Sequence, residues 1–188
     1  MRFGLDLGGT KMEAVLLNEA GEIVWRQRRP TPSENYEAII ETIAELVGEA
    51  DRESTQEISI GIGMPGSLSP KTGLVRNSNT QCLNGRPIQQ DLESKLARQV
   101  RLANDANCFA LSEATDGAGA GAQSVFGVII GTGCGGGLSN VDALYTHIPE
   151  IWDAYIFSDV IETRLVKNQH GDASGVRGAA WLWPTHNA

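Results

Sequence analysis

Apolar and polar positions along this chain form short blocks whose period changes from element to element. Residues 2–7, 11–17 and 22–28 carry the short, β-rich runs of three strands, with Asn18-Glu19-Ala20-Gly21 as the turn between the second and third. The period then changes: Ile39, Ile40, Ile43, Leu46 and Val47 recur at helical spacing, so residues 32–50 are expected to form an amphipathic helix. Thr31-Pro32-Ser33-Glu34 before it reads as a capping box with proline at the first helical position. Ile58, Ile60 and Ile62 alternate within a buried strand at 57–64. Residues 67–86, rich in Ser, Asn, Gly and Pro, read as an ordered loop.

A helix at 87–99, a strand at 100–104 and a helix at about 106–115 follow. Gly117-Ala118-Gly119-Ala120-Gly121 reads as a hinge or linker. The continuous apolar run from Ser124 to Ile130 predicts a strand that feeds the glycine loop at 131–137. A helix near 141–155, a weaker strand at 161–166 and a final helix from about 175 complete the chain. No repeat of fixed period is evident. Three strands followed by alternating helices and strands predict an α/β fold, a mixed sheet flanked by helices.

Composition narrows the function classes. The 188 residues suffice for one domain or two small lobes, and 41% hydrophobic with 20% charged residues is ordinary for a globular protein. A net charge of −8 argues against non-specific nucleic-acid or anionic-membrane binding. No apolar stretch reaches the length of a membrane span, and the N-terminus opens on a strand without a signal pattern, so the cytoplasm is expected. Cys82, Cys108 and Cys134 form no CxxC pair and read as reduced thiols. His147, His170 and His186 show no ligand spacing; they are expected in loops or at the surface, and no zinc site is expected.

The chemistry begins at Asp6-Leu7-Gly8-Gly9-Thr10-Lys11. An acid at a strand end, a two-glycine turn and a return strand make a hairpin that can receive phosphate, because glycine lets backbone N–H groups approach an anion closely. Thr10 adds a hydroxyl, Lys11 a positive charge, and Asp6 a carboxylate able to hold magnesium directly or through water. An ordinary β-hairpin explains the same pattern. Asp105 closes a predicted strand, where side chains face the crevice of an α/β sheet. Its competing role is the N-cap of the next helix. Gly131-Thr132-Gly133 follows an apolar strand and could cradle phosphates through backbone N–H groups, or be a flexible loop. Trp181 and Trp183 read as core or interface anchors.

The run Gly4 to Lys11 resembles the ATP phosphate-binding opening of the ROK family of bacterial sugar kinases, in the hexokinase/actin-like superfamily. Gly61-Ile62-Gly63-Met64-Pro65-Gly66-Ser67, Leu102-Ala103-Asn104-Asp105-Ala106-Asn107 and Gly131-Thr132-Gly133-Cys134-Gly135 resemble three further segments of that family, in its order. The tail from Gly171 to Trp183 resembles the fructokinase or manno(fructo)kinase branch.

Residues 1 to about 135 resemble the first half of such a kinase and the remainder its last stretch. A segment on the order of a hundred residues, about one small domain, is missing between them. In the family that segment carries a His/Cys zinc cluster, a Glu and a His on the sugar hydroxyls, and a further sugar-binding Glu.

The resemblance implies a ribonuclease H-like, actin-hexokinase-like ATPase lobe with an incomplete second lobe: residues 1–120 as the phosphate- and sugar-binding lobe, and 121–188 as a truncated remnant of the other. It implies ATP-dependent phosphorylation of a hexose, fructose favoured, with ATP and Mg2+. Asp105 would be the base. Asp6, Gly8, Gly9, Thr10, Lys11, Gly131, Thr132 and Gly133 would hold the nucleotide. Asn104, Pro65 and Gly66 would hold the sugar, and Asp6 the magnesium. The partners are then a small-molecule sugar and ATP, with no nucleic acid or membrane and with room for a homodimer. A non-catalytic remnant with weak nucleotide or sugar binding is the alternative. A sugar-responsive regulator ranks third, because the chain opens directly on the phosphate hairpin and is acidic.

Overall fold

The computed structural model of the chain describes residues 1–127 and 165–183. Five strands form one sheet in the order β3-β2-β1-β4-β7: β1 (Arg2–Leu7), β2 (Lys11–Leu17), β3 (Ile23–Pro30), β4 (Ser59–Met64) and β7 (Val100–Asn104). β1, β2 and β3 pair antiparallel, whereas β1, β4 and β7 run parallel, so the sheet is mixed as expected. The parallel half needs crossovers. These are α1 (Tyr36–Arg52) between β3 and β4, and α2 (Ile88–Leu96) before β7.

Strand alternation divides the core in two. Phe3, Leu5, Leu7, Met12, Ala14, Leu16, Ile60 and Ile62 face α1 and α2, where Ile39, Ile43, Leu46, Val47, Ile88 and Leu92 complete a single apolar cluster. Each of the larger of these side chains contributes about 1.5–3 kcal/mol by leaving water. The other face carries Val15 and Leu17 beneath α4 (Ser174–Ala180), where Val176 and Ala180 meet them. α3 (Asp105–Asp116) lies beside α4 on that face.

α4 sits unusually close to the strands because the contact points are glycines. A Cβ on Gly61 would lie 1.8 Å from the Ala179 carbonyl oxygen, and one on Gly4 2.2 Å from that of Val176. One on Gly178 would lie 1.6 Å from the Cys108 carbonyl oxygen. The two tryptophans beyond α4 anchor it as expected. Trp181 stacks under the Arg2 guanidinium at 4.5 Å and Trp183 under that of Arg101 at 4.3 Å. Trp183 Nε1 also donates to the Ile60 carbonyl at 2.7 Å.

Several expectations are corrected. α1 starts at Tyr36, capped by Asn35, whose Oδ1 accepts from the Ala38 N–H at 3.1 Å. The predicted cap at Thr31 to Glu34 fails because Thr31 follows directly on the last paired residue of β3, Pro30 opposite Lys11. Thr31 instead donates its hydroxyl to the Gly8 carbonyl at 2.7 Å and its N–H to that of Thr10 at 3.0 Å. The 67–86 loop contains a small hairpin, β5 (Ser67–Leu68) with β6 (Val75–Arg76), and a 3-10 turn at Gln81–Leu83. Residues 124–127 are irregular and Phe126 is 90% exposed. Residues 165–166 are irregular too. The rest of the predicted 124–130 and 161–166 strands, and the 141–155 helix, lie outside the described residues, as do Cys134, His147 and His186.

Candidate active site

The strand ends gather the candidate residues. Asp6 stands in register with Glu13 of β2 and with Gly63 of β4, and Met64 of β4 with Asn104 of β7. The carboxyl ends of three adjacent parallel strands therefore deliver Asp6, then Pro65 and Gly66, then Asn104 and Asp105, to one edge of the sheet. In open α/β sheets that edge is where ligands bind.

Beyond β1 the chain turns through Gly8, Gly9 and Thr10 into Lys11; Gly8 is half-buried and the other three are exposed. Neither glycine has a positive φ. Gly8 is needed for a different reason: a Cβ there would lie 2.7 Å from the Lys11 carbonyl oxygen. Thr31 ties this turn down through its two hydrogen bonds to Gly8 and Thr10.

Pro65 is buried and Gly66 half-buried. Gly66 has φ +84°, and a Cβ on it would lie 2.5 Å from the Arg76 carbonyl oxygen, so any other residue is excluded by both conformation and space. Its carbonyl accepts from Asn104 Nδ2 at 3.0 Å. Asn104 Oδ1 accepts from the Ala106 N–H at 3.1 Å and caps α3. The cap expected as the competing role of Asp105 is thus held by Asn104. Asp105 is the first residue of α3; its exposed carboxylate shares the Ala106 N–H at 2.8 Å.

The electrostatics place these groups together. Burial, with the charges of Asp105 and Glu13, pushes the Asp6 carboxyl up to about 6 against the opposing effect of Lys11. Burial, then Asp6 and Asp105, pushes the Cys108 thiol up to about 12. Asp6 and Asp105 thus act on each other and on Cys108 through their charge. Asp6 has no hydrogen-bond or ion-pair partner among the described residues. A lone carboxylate beside a glycine turn suits magnesium, which takes one or two carboxylates together with phosphate oxygens and water. No group of three or more His, Cys, Asp or Glu is placed to hold a metal among the described residues. Gly131, Thr132 and Gly133 lie outside the described residues.

Sequence reasoning overlooked two carboxylates. Glu13 is 5% exposed and accepts from Arg26 Nε at 2.6 Å and Arg28 Nε at 2.7 Å. Its place beside Asp6 was available from the hairpin register. Glu113 of α3 is 4% exposed and receives the carboxyl-terminal segment. No local pattern marks it. His170, expected in a loop or at the surface, lies in the bend before α4 and bonds Asp116 Oδ1 through Nε2 at 2.9 Å.

The sequence profile of the ROK family matches residues 2–140. An N-acetyl-D-glucosamine kinase of Escherichia coli O127:H6 is 44% identical over 198 aligned positions, which cover 97% of this chain and 65% of that protein. Among solved structures, a ROK hexokinase from Thermus thermophilus matches with TM-score 0.56 and 37% identity over 64% of this chain and 40% of that one. A ROK family glucokinase from Streptomyces griseus, in complex with glucose and AMPPNP, matches with TM-score 0.53 and 28% identity over 65% and 38%. The chain spans between 45% and 65% of the length of the curated relatives it matches.

Proposed function

This chain belongs to the ROK family and has its actin-hexokinase-like ATPase fold, and on that premise we propose that it is the phosphate- and sugar-binding part of an ATP-dependent hexose kinase. The observation that carries the reading is the convergence of Asp6, Gly66, Asn104 and Asp105 at the carboxyl ends of three parallel strands, with the two aspartates near enough to raise the proton affinity of one. Three segments that resemble the family's, in its order, supply those four residues, which an ordinary hairpin and an ordinary cap would not bring together.

Asp105 is the base. Its carboxylate is exposed at the strand edge and takes the proton of the attacking sugar hydroxyl, while that oxygen attacks the terminal phosphorus of ATP and ADP leaves. Asn104 and Gly66, joined by their hydrogen bond, orient the sugar, and Pro65 shapes the strand end behind them. The backbone of Gly8 and Gly9, with Thr10 and Lys11, receives the phosphates; Gly131, Thr132 and Gly133, outside the described residues, are assigned to them by the family resemblance alone. Asp6 would hold magnesium, which would supply positive charge against the phosphate oxygens.

For the sugar, the names of the related kinases support N-acetyl-D-glucosamine ahead of fructose, which rests on the resemblance of the 171–183 tail alone. In chain order we assign residues 1–120 to this lobe and 121–188 to a shortened remainder of the second; residues 169–183 of that remainder pack back on the first sheet. A cytoplasmic enzyme is the simplest setting; among the described residues no helix is long and apolar enough to cross a membrane.

A second reading has its own observation. The chain lacks a third or more of the length of its curated relatives, and such kinases close two lobes over substrate to exclude water. Turnover should therefore be slow, or confined to weak ligand binding. A coupled ADP-release assay over N-acetylglucosamine, fructose, glucose and mannose tests both readings. Hexose-dependent ADP release with kcat/KM below about 10⁴ M⁻¹s⁻¹, the low end for enzymes, is expected. ADP release that does not depend on hexose, or that survives Asp105→Asn, would refute the assignment.

A further inference from the structure

The carboxyl-terminal segment is held by two acids of α3 that no substrate needs to touch. Glu113 accepts four hydrogen bonds in a nearly solvent-free position. Its Oε2 takes the Ala118 and Gln169 N–H groups, each at 2.9 Å. Its Oε1 takes the His170 N–H at 3.3 Å and the Ser174 hydroxyl at 2.8 Å. Burial alone would raise this carboxyl, but the donors outweigh burial and hold it below the ordinary glutamate value. One turn further, Asp116 takes His170 Nε2 and pairs with the Arg177 guanidinium.

What these bonds position is α4. Its first turn brings Gly175 against Asp6: a Cβ on Gly175 would lie 3.4 Å from Asp6 Oδ2. Its later turns are seated where Gly178 meets the Cys108 backbone and where Gly4 and Gly61 leave room. Asp6 is therefore covered on one side by a segment that arrives from the far end of the chain. That segment is fastened at Glu113, not at the strand edge.

We propose that Glu113 is a positioning residue for the phosphate site: by clasping residues 169–174 it holds Gly175 against Asp6 and makes α4 one wall of that site. The proposal rests on the kinase reading only for what Asp6 does there. Glu113→Gln keeps the size but replaces an acceptor oxygen with an N–H₂ that faces N–H donors, so the segment must shift. Ser174→Ala removes one donor of the four and disturbs the clasp less.

The test is NMR on the full chain without nucleotide at pH 8, where Asp6 stays ionised. It follows the side-chain carboxyl carbon of Asp6 and the amide of Gly175 in wild type, Glu113→Gln and Ser174→Ala. Both resonances are expected to move together, farther in Glu113→Gln than in Ser174→Ala. A native state that is merely less stable leaves both in place. Movement of Gly175 with Asp6 unmoved, movement of Asp6 with Gly175 unmoved, or no movement of either overturns the proposal. Should Glu113→Gln fail to fold, Ser174→Ala decides among the same outcomes. Hexose-dependent ADP release is measured separately: if wild type shows none while the two resonances move together, the kinase reading fails and the clasp stands.

Discussion

Replacing Asp6 with Asn should make the free chain more stable at neutral and alkaline pH, although it removes the candidate magnesium ligand. Burial comes first among the causes, with Asp105 and Glu13 adding to it, and together they move this carboxyl from an ordinary 3.8 to about 6. A group raised on folding lends its full stability only below the unfolded value and loses it as the pH climbs through the folded one. At pH 8 the carboxylate is ionised in both states, and the native state carries the whole penalty. At about 1.4 kcal/mol per pH unit, less what solvent recovers at a half-buried group, this amounts to about 2–3 kcal/mol. For a chain of this size that corresponds to about 4–12 °C in Tm. Urea unfolding of wild type and Asp6→Asn at pH 8 and pH 4.5 reads the effect directly, and groups common to both proteins cancel in the difference. The variant should be the more stable at pH 8, and most of the gap should close at pH 4.5. Added MgATP should stabilise wild type and not the variant, since a strained charge kept for a ligand is a stability–function trade-off. A variant no more stable than wild type at pH 8, or a gap of the same size at both pH values, would refute the reasoning.

Further consequences are accessible to the same methods. Asp105→Asn should lower any hexose-dependent ADP release about a hundredfold or more while leaving the fold intact, because Asn104 already caps α3; retained activity would point to a different base. Gly61→Ala would drive a Cβ to 1.8 Å from the Ala179 carbonyl oxygen and should cost about 2–3 kcal/mol in urea unfolding. Gly48→Ala, in α1 with nothing within 4 Å, should instead gain about 0.5–1 kcal/mol; equal effects of the two would deny the close seat of α4. Because Glu113 is held below its ordinary value, its stabilisation is present above pH 4.5 and is lost as the pH falls through the folded value. The unfolding free energies of wild type and Glu113→Gln should therefore differ most at pH 7 and draw closer as the pH falls below 4.5.

The elements that follow a local period were legible in the sequence. Short apolar runs placed β1 and β2, alternation placed β4 to within two residues, and the 3.6 spacing of Ile39 to Val47 located α1's buried face, because those patterns express contacts each segment makes as a whole. The chemistry at strand ends was legible for the same reason: Asp6, Gly66, Asn104 and Asp105 each follow a recognisable strand. Tertiary structure decided between residues that are locally equivalent. Asn104 and Asp105 are equally good caps, and the Asn104 amide bond to the Gly66 carbonyl, 38 residues away, settles which one faces the backbone. Thr31 has a capping sequence but follows directly on the paired end of β3, and its hydroxyl goes to Gly8. Most of all, the place of α4 was not legible from its own seven residues alone. It depends on missing Cβ atoms at Gly4 and Gly61 and on donors that reach Glu113 across 56 to 61 residues of sequence. Periodicity records what a segment buries, whereas a close approach between distant segments is recorded only by the space between them, and that space exists only once the chain has folded.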